Sequence, residues 1–439
     1  MKTVLITDEM LLDKFMDEQF EKNTISVSFP EDVASLLAQD LTPAPCKNRM
    51  DLRRLPCLTI DCDDVRDMDD AVSLVRTKTG YLLGVHIADV AAYVRPGSRL
   101  DEIAAERGSS IYLANRTIPM LPPVLSQDLC SLNPNEDRNA LSVLIDITKD
   151  GQVRRYMVTK SLIRSRVKGV YSEINSIFSR NASPAVVSKY RSFIPALWDM
   201  KGLAEKLRRK RCAAGANTAP SEEVKITVQN GEIQLALHRQ GASELLIEEF
   251  MVLCNSLVAE YCQSNHIPCL FRTQDKKNTL AKYEPCCGRH ADLAIEDTGY
   301  LHFTSPIRRY SDCVVHQTVS AWLDGASAEE LNARYNREYM EEVALIATKR
   351  FRRAKAMQLV HSKFCFTRYF ACRREELYLG RVIGYNKQQR PILCMDAYPI
   401  HVLGDLALRA QIGEKFSFRI SADVDNRKLY AELPRRVAA

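Results

Sequence analysis

Hydrophobic and polar positions divide the chain into stretches of different period. From about residue 51 to 160 the apolar residues come in short runs: Leu55-Pro56-Cys57-Leu58-Thr59-Ile60, Ala71-Val72-Ser73-Leu74-Val75, Tyr81-Leu82-Leu83-Gly84-Val85-His86-Ile87-Ala88 and Ala140-Leu141-Ser142-Val143-Leu144-Ile145-Asp146-Ile147. Runs of this length and composition, separated by turn formers, predict strands. From about 186 to 365 apolar residues recur at spacings of three and four, as from Ser243 to Cys262, which predicts helices. Ser243 is followed at the capping-box position by Leu246, so that signature fails and the start of this helix stays open. Past about 372 short apolar runs return at Leu377 to Tyr385, Ile392 to Met395, Phe416 to Ile420 and Leu429 to Leu433, a density that predicts a small barrel.

The expected division is therefore a lead-in over 1–45, a mixed strand-and-helix unit over 46–371 and a barrel over 372–439. The lead-in ends in Leu41-Thr42-Pro43-Ala44-Pro45 and is too short for a domain of ordinary size. With 46% hydrophobic and 26% charged residues the chain is globular in composition. The start, Met1-Lys2-Thr3-Val4-Leu5-Ile6-Thr7-Asp8, turns acidic too early for a signal peptide, and no apolar run approaches the roughly 20 residues of a membrane span. A cytoplasmic location with no membrane partner is the expectation. Fourteen cysteines over 439 residues then read as reduced thiols. Cys286-Cys287-Gly288-Arg289-His290 lacks a second Cys/His pair at finger-like spacing, so no zinc site is assigned to it.

Charge changes the picture through its distribution. The net charge of +6 is mild, but Lys206-Leu207-Arg208-Arg209-Lys210-Arg211 and Lys349-Arg350-Phe351-Arg352-Arg353-Ala354-Lys355 are dense basic blocks. Acid is concentrated elsewhere: in Asp61-Cys62-Asp63-Asp64-Val65-Arg66-Asp67-Met68-Asp69-Asp70, six of ten residues are aspartate. Carboxylates packed this closely repel one another unless they are protonated or neutralised by cations, and hard oxygen ligands favour Mg²⁺, Mn²⁺ or Ca²⁺. A calcium EF-hand loop needs Gly at its sixth position and Glu at its twelfth. Counted from Asp61 those positions are Arg66 and Val72, so an EF-hand is excluded. An acidic metal centre flanked by strands, in a protein carrying basic blocks, suits a polyanion bound through phosphates and cleaved at a metal.

Several motifs in a fixed order then identify a resemblance. Arg49-Met50-Asp51-Leu52-Arg53-Arg54-Leu55-Pro56, the aspartate run, Val85-His86-Ile87-Ala88-Asp89-Val90, Ile118-Pro119-Met120-Leu121-Pro122 and His302-Phe303-Thr304-Ser305-Pro306-Ile307-Arg308-Arg309-Tyr310 together resemble the RNase II/RNase R exoribonuclease family. The resemblance implies an α+β, RNB-type catalytic domain of mixed sheet and helices followed by a small OB-type barrel. It implies hydrolysis of single-stranded RNA from the 3′ end to nucleoside 5′-monophosphates with Mg²⁺, or Mn²⁺. No obligate protein partner is implied.

Residue by residue, the family pattern Asp-x5-Asp-x-Asp-Asp carries metal binding and catalysis onto Asp61, Asp67, Asp69 and Asp70, leaving Asp63 and Asp64 outside it. Arg308 takes the place of the catalytic arginine, whose fork can donate to a phosphate gaining charge. Arg309 and Ser305 of the same motif are carried as supporting substrate contacts. Tyr112 matches the aromatic position that stacks on a base inside the channel, Tyr171 matches another active-site tyrosine, and Glu248 matches a carboxylate holding the terminal nucleotide.

Two departures stand beside the resemblance. Where relatives place an aromatic clamp for the terminal base, this chain reads Gly215-Ala216-Asn217-Thr218-Ala219-Pro220-Ser221, with Ala219 at the aromatic position. One missing base stack costs about 1 to 3 kcal/mol. Gln358 stands where some members carry glutamate. The stretch before the motifs is also too short for the paired cold-shock barrels of many relatives, which predicts a wider entrance and weaker hold on RNA, with the terminal barrel and basic blocks making most phosphate contacts. The alternatives left open are a catalytically weak RNA-binding regulator with the same fold and an exonuclease preferring short oligonucleotides.

Overall fold

The computed structural model describes residues 7–38, 41, 43, 48–405 and 408–437. Most of the proline-containing stretch at the expected 45/46 boundary lies outside the described residues. The apolar runs of the first half become a seven-stranded sheet. Its spatial order is Met50–Asp51, Val153–Arg164, Asp137–Thr148, Gly80–Ala88, Asp70–Arg76, Cys57–Asp61 and Lys168–Val170. The neighbours are antiparallel except at the two edges, where Met50–Asp51 runs parallel to Val153–Arg164 and Lys168–Val170 parallel to Cys57–Asp61.

Apolar side chains on both faces of the central strands are buried at 0% exposure, Leu58, Val72, Val85 and Val143 on one face and Cys57, Ala71, Ala88 and Ala140 on the other, which explains why their sequence reads as continuous runs rather than clean alternation. A polar ladder crosses this core. His86 joins Ser73 through Nε2 at 2.9 Å and Ser142 through Nδ1 at 2.7 Å, and Ser142 meets Ser161 at 2.6 Å. Burial lowers the His86 pKa to about 4, so the ring is neutral and the ladder ties four strands in register without burying a charge.

Helices Ile194–Ala213, Ala242–Ser264 and Tyr310–Leu323 cover the sheet. The second begins one residue before Ser243. Its N-terminus is capped by Glu244, whose Oε2 accepts from the Gly241 N–H at 3.1 Å. The lead-in contains a helix, Asp8–Lys22, that buries Leu12, Met16 and Phe20. Phe15 stacks on Phe364 of the long helix Arg337–Ala371 at 4.6 Å. Five strands between Tyr378 and Arg436 close a barrel, as the short C-terminal runs predicted. The lead-in helix, the long helix and the barrel interior share one apolar cluster. No helix among the described residues is long and apolar enough to cross a membrane.

Glycine is required at two positions near the aspartate run. Gly169 lies so close to the neighbouring strand that an added Cβ would sit 2.4 Å from the Thr59 carbonyl oxygen. Gly108 ends the helix Arg99–Arg107 with φ +72°, and a Cβ there would sit 2.1 Å from Arg350 Cβ. Its carbonyl accepts from Tyr310 N–H at 3.0 Å, joining that turn to the arginine motif.

Candidate active site

The aspartate run is a loop between two core strands. Asp61 ends Cys57–Asp61 and pairs with Val170, while Asp70 opens Asp70–Arg76 and pairs with Ile87. Met68, 2% exposed, anchors the loop from inside. Its N–H donates to Ser131 Oγ at 3.1 Å, and Ser131 Oγ donates to the Arg66 carbonyl at 2.8 Å. Lys168 Nζ donates to the carbonyls of Asp63 and Val65, both at 2.7 Å, so the loop's outward bend is held by its backbone while Asp63 and Asp64 stay exposed.

The arginine motif comes to this loop from more than two hundred residues away. Asp69 Oδ1 accepts from the Ile307 N–H at 2.8 Å, and Asp69 Oδ2 faces Arg308 Nε at 3.3 Å. Asp69 is buried, whereas 45% of the Arg308 side chain is reached by solvent. The guanidinium is therefore tethered at one nitrogen and open at its outer edge. The Arg308 carbonyl accepts from Ser110 N–H and from Ser109 Oγ, each at 3.1 Å, which puts the Tyr112 segment alongside. Tyr112 then donates its hydroxyl to Asp67 Oδ2 at 2.6 Å.

The turn itself is organised by Asp312, which sequence reading missed. Buried Asp312 Oδ2 accepts from Ser305 N–H at 2.9 Å and from Arg309 Nε and Nη2 at 3.1 and 2.7 Å. Ser305 is 2% exposed, so it braces the turn from within, and Arg309 points to Asp312. The available signal was the i,i+3 spacing of Arg309 and Asp312 at a helix start.

Burial makes ionisation of Asp61, Asp69 and Asp70 unfavourable. Asp61 is pushed up to about 8 by burial, with Asp70 and Asp67 adding repulsion and Arg308 and Lys168 opposing it. Asp70 is raised to about 6 by burial against the pull of Arg308 and Arg309, and Asp69 is raised well above the usual range by burial. Asp61 Oδ2 is buried without a hydrogen-bond partner. Among the described residues no three His, Cys, Asp or Glu side chains converge on a metal-sized point; Asp67 turns to Tyr112, and Asp69 to Ile307 and Arg308. The orphaned oxygen, the all-carboxylate donor set and the unfavourable ionisation fit a hard divalent cation.

The remaining site residues lie around the helix Ala242–Ser264. Tyr171 opens the helix Tyr171–Phe178 directly after Val170, and its carbonyl accepts from Ser243 Oγ at 3.1 Å. Its hydroxyl pKa is raised by burial and by Asp61 and Asp70. Glu248 is held by Arg211 Nη2 at 3.0 Å and Gln240 Nε2 at 2.7 Å. Arg208 and Arg211 also clasp the buried Glu249. In the first basic block Lys206 and Lys210 donate to the carbonyls of Lys149 and Gly151, Arg208 and Arg211 pair with Glu248 and Glu249, and Arg209 stays exposed. A run of cations has no local mark for carboxylates nearly forty residues on. Arg208 also bonds the Thr218 carbonyl, tying down the segment that carries exposed Ala219. Gln358 Nε2 lies 3.5 Å from the Tyr112 carbonyl.

The family model described as "RNB domain" matches residues 49–281 and 277–325, more than half of the chain, including the four aspartates, Tyr112, Tyr171, Glu248 and the Ser305–Arg309 turn. The chain belongs to the RNB-domain family. Among relatives of this RNB protein, Ribonuclease R of Thermotoga maritima is 32% identical over an alignment 379 positions long that covers 73% of this chain and 52% of that protein. The chain spans about half the length of such curated relatives. The RNB fold is shared with Mycoplasma genitalium RNase R, solved with ribose-methylated single-stranded RNA, at TM-score 0.82 and 21% identity over 96% of this chain and 78% of that one. It is shared too with yeast Ssd1, described as a pseudonuclease, at TM-score 0.69 and 18% identity over 95% and 58%.

Proposed function

We propose that this RNB protein is a divalent-metal-dependent hydrolytic exoribonuclease that shortens single-stranded RNA from its 3′ end and releases nucleoside 5′-monophosphates. A pseudonuclease with the same fold means that the fold alone does not decide between catalysis and binding. The observation that carries the reading is the meeting of Asp69 with Ile307 and Arg308, which sets a solvent-facing guanidinium beside the buried aspartates.

In this reading Asp61, Asp67, Asp69 and Asp70 hold Mg²⁺ or Mn²⁺, which when bound supplies an activated water and charge neutralisation at the phosphate. The protein's own residues do the rest. Asp69 and the Asp312-braced turn hold Arg308 so that its free edge donates to the non-bridging phosphate oxygens as they gain charge. Tyr112 and Tyr171 offer ring faces to bases, a contact indifferent to sequence. Glu248, fixed by Arg211 and Gln240, presents a carboxylate to the hydroxyls of the last nucleotide. The water oxygen bonds to phosphorus as the bond from phosphorus to the 3′ oxygen breaks. A proton ends on that 3′ oxygen, and the terminal nucleotide leaves with its 5′ phosphate.

The test is an RNA labelled on its last nucleotide, incubated with Mg²⁺ and separated by thin-layer chromatography. Labelled nucleoside 5′-monophosphate should be the earliest product and should be lost with EDTA. Internal fragments carrying the label, or tight binding with no cleavage, would overturn the proposal.

A further inference from the structure

Tyr112 does more in this structure than present an aromatic face. Tyr112 is 36% exposed, and its hydroxyl donates to Asp67 Oδ2 at a short 2.6 Å. The residue is not free to swing. Tyr112 pairs with Thr117 in a two-stranded turn, and Ala114 N–H donates to His361 Nε2 at 3.2 Å. On the other side Ser109 and Ser110 hold the Arg308 carbonyl. The hydroxyl is thus delivered to Asp67 by backbone that is fixed to both the long helix and the arginine turn.

We propose that the Tyr112 hydroxyl is a positioning group for the metal site: by holding one oxygen of Asp67 it orients the carboxylate, and through its ring it links the nucleotide seat to metal affinity. The inference rests on the proposed metal-dependent function. A carboxylate on a loop has two equivalent oxygens and free rotation, and a fixed donor to one of them restricts the rotation and leaves the other free for a cation. Loss of such an outer partner typically costs 10- to 100-fold in metal affinity. The bond also predicts reciprocity. A base stacked on the ring restrains the phenol and so favours the Asp67 orientation that the metal needs, and the metal favours the base by the same factor.

Tyr112→Phe separates these roles because it keeps the ring and removes only the oxygen. Mn²⁺ binding to the full chain is read from the free-ion paramagnetic resonance signal, with and without a 2′-O-methyl oligonucleotide that resists cleavage. The wild type should bind Mn²⁺, more tightly with the oligonucleotide present. Tyr112→Phe should bind Mn²⁺ about 10- to 100-fold more weakly, lose most of the oligonucleotide's effect, and bind the oligonucleotide in EDTA within about twofold of wild type, consistent with an intact stacking face. Equal Mn²⁺ affinity and equal coupling in the two proteins would overturn the inference while leaving the proposed function standing. A wild type that binds no Mn²⁺ would overturn the function reading itself. Tyr112→Leu, which removes ring and hydroxyl together, should weaken both Mn²⁺ and oligonucleotide binding; a loss confined to the oligonucleotide would also count against the hydroxyl's role.

Discussion

Asp312→Asn is the sharpest perturbation of the arginine turn, because it changes one buried oxygen to nitrogen with almost no change of shape. Asp312 has no solvent exposure, and its partner Arg309 has 16%. One oxygen serves Arg309 Nε at 3.1 Å, Arg309 Nη2 at 2.7 Å and Ser305 N–H at 2.9 Å. An amide keeps one acceptor but brings two donors and no charge, so Arg309 is left without its counter-ion. Removing one member of a buried pair costs about 3 to 5 kcal/mol, and the retained acceptor places this case near about 3 kcal/mol. The adjacent Arg308 should lose its fixed position as well, and displacement of a catalytic group by about 1 Å can cost about 100-fold in rate.

Urea denaturation and single-turnover cleavage of a short RNA measure the two effects on the same protein. A parallel Glu341→Gln variant breaks the exposed pair with Arg337, whose side chains are 53% and 80% exposed, and should change stability by less than about 1 kcal/mol. If Asp312→Asn destabilised the protein no more than this control and left the cleavage rate unchanged, the reasoning that the buried carboxylate builds the turn would be wrong.

Two further outcomes follow from burial. In the metal-free protein burial, with repulsion from Asp70 added at Asp61, raises the pKa values of Asp61 and Asp70 well above the unfolded 3.8, so the folded state holds more protons than the unfolded one; stability should fall as pH rises from about 4 toward neutral and beyond, and the gain in melting temperature on adding Mg²⁺ should be larger at pH 8 than at pH 6. A Mg²⁺ effect independent of pH would count against these carboxylates as its site. Leu12→Ala empties a fully buried position in the cluster shared by the lead-in helix, the long helix and the barrel, and should cost about 2 to 5 kcal/mol in urea denaturation; a cost under about 1 kcal/mol would show that the helix only rests on the surface.

The sheet was legible because its strands announce themselves as runs such as Cys57-Leu58-Thr59-Ile60, buried on both faces. The aspartates were legible because like charges are rarely packed together without a cation. What the sequence hid was pairing across distance. Ile307 N–H on Asp69, Arg211 on Glu248 and Tyr112 on Asp67 join residues whose local contexts are complete without one another. The pairing of Arg208 and Arg211 with glutamates was hidden for the same reason, since a solvated basic face and a helix clasping buried glutamates have the same composition. The helix start at Ala242 was left open because Glu244 accepts from Gly241, a cap that a search beginning at Ser243 passes over. The lead-in helix was missed because its few buried residues, Leu12, Met16 and Phe20, gain their meaning only from the long helix and barrel they pack against.

The central claim is that the aspartate loop and Arg308 together hydrolyse RNA from the 3′ end with a divalent ion. The most direct measurement follows a 5′-labelled RNA on a denaturing gel with Mg²⁺, for the wild type and for Asp69→Asn. The wild type should give a ladder that shortens one nucleotide at a time from the 3′ end and vanishes with EDTA, and Asp69→Asn should bind the RNA but leave it intact. An equal ladder from Asp69→Asn, or RNA left whole by a wild type that binds it and Mg²⁺, would contradict the account.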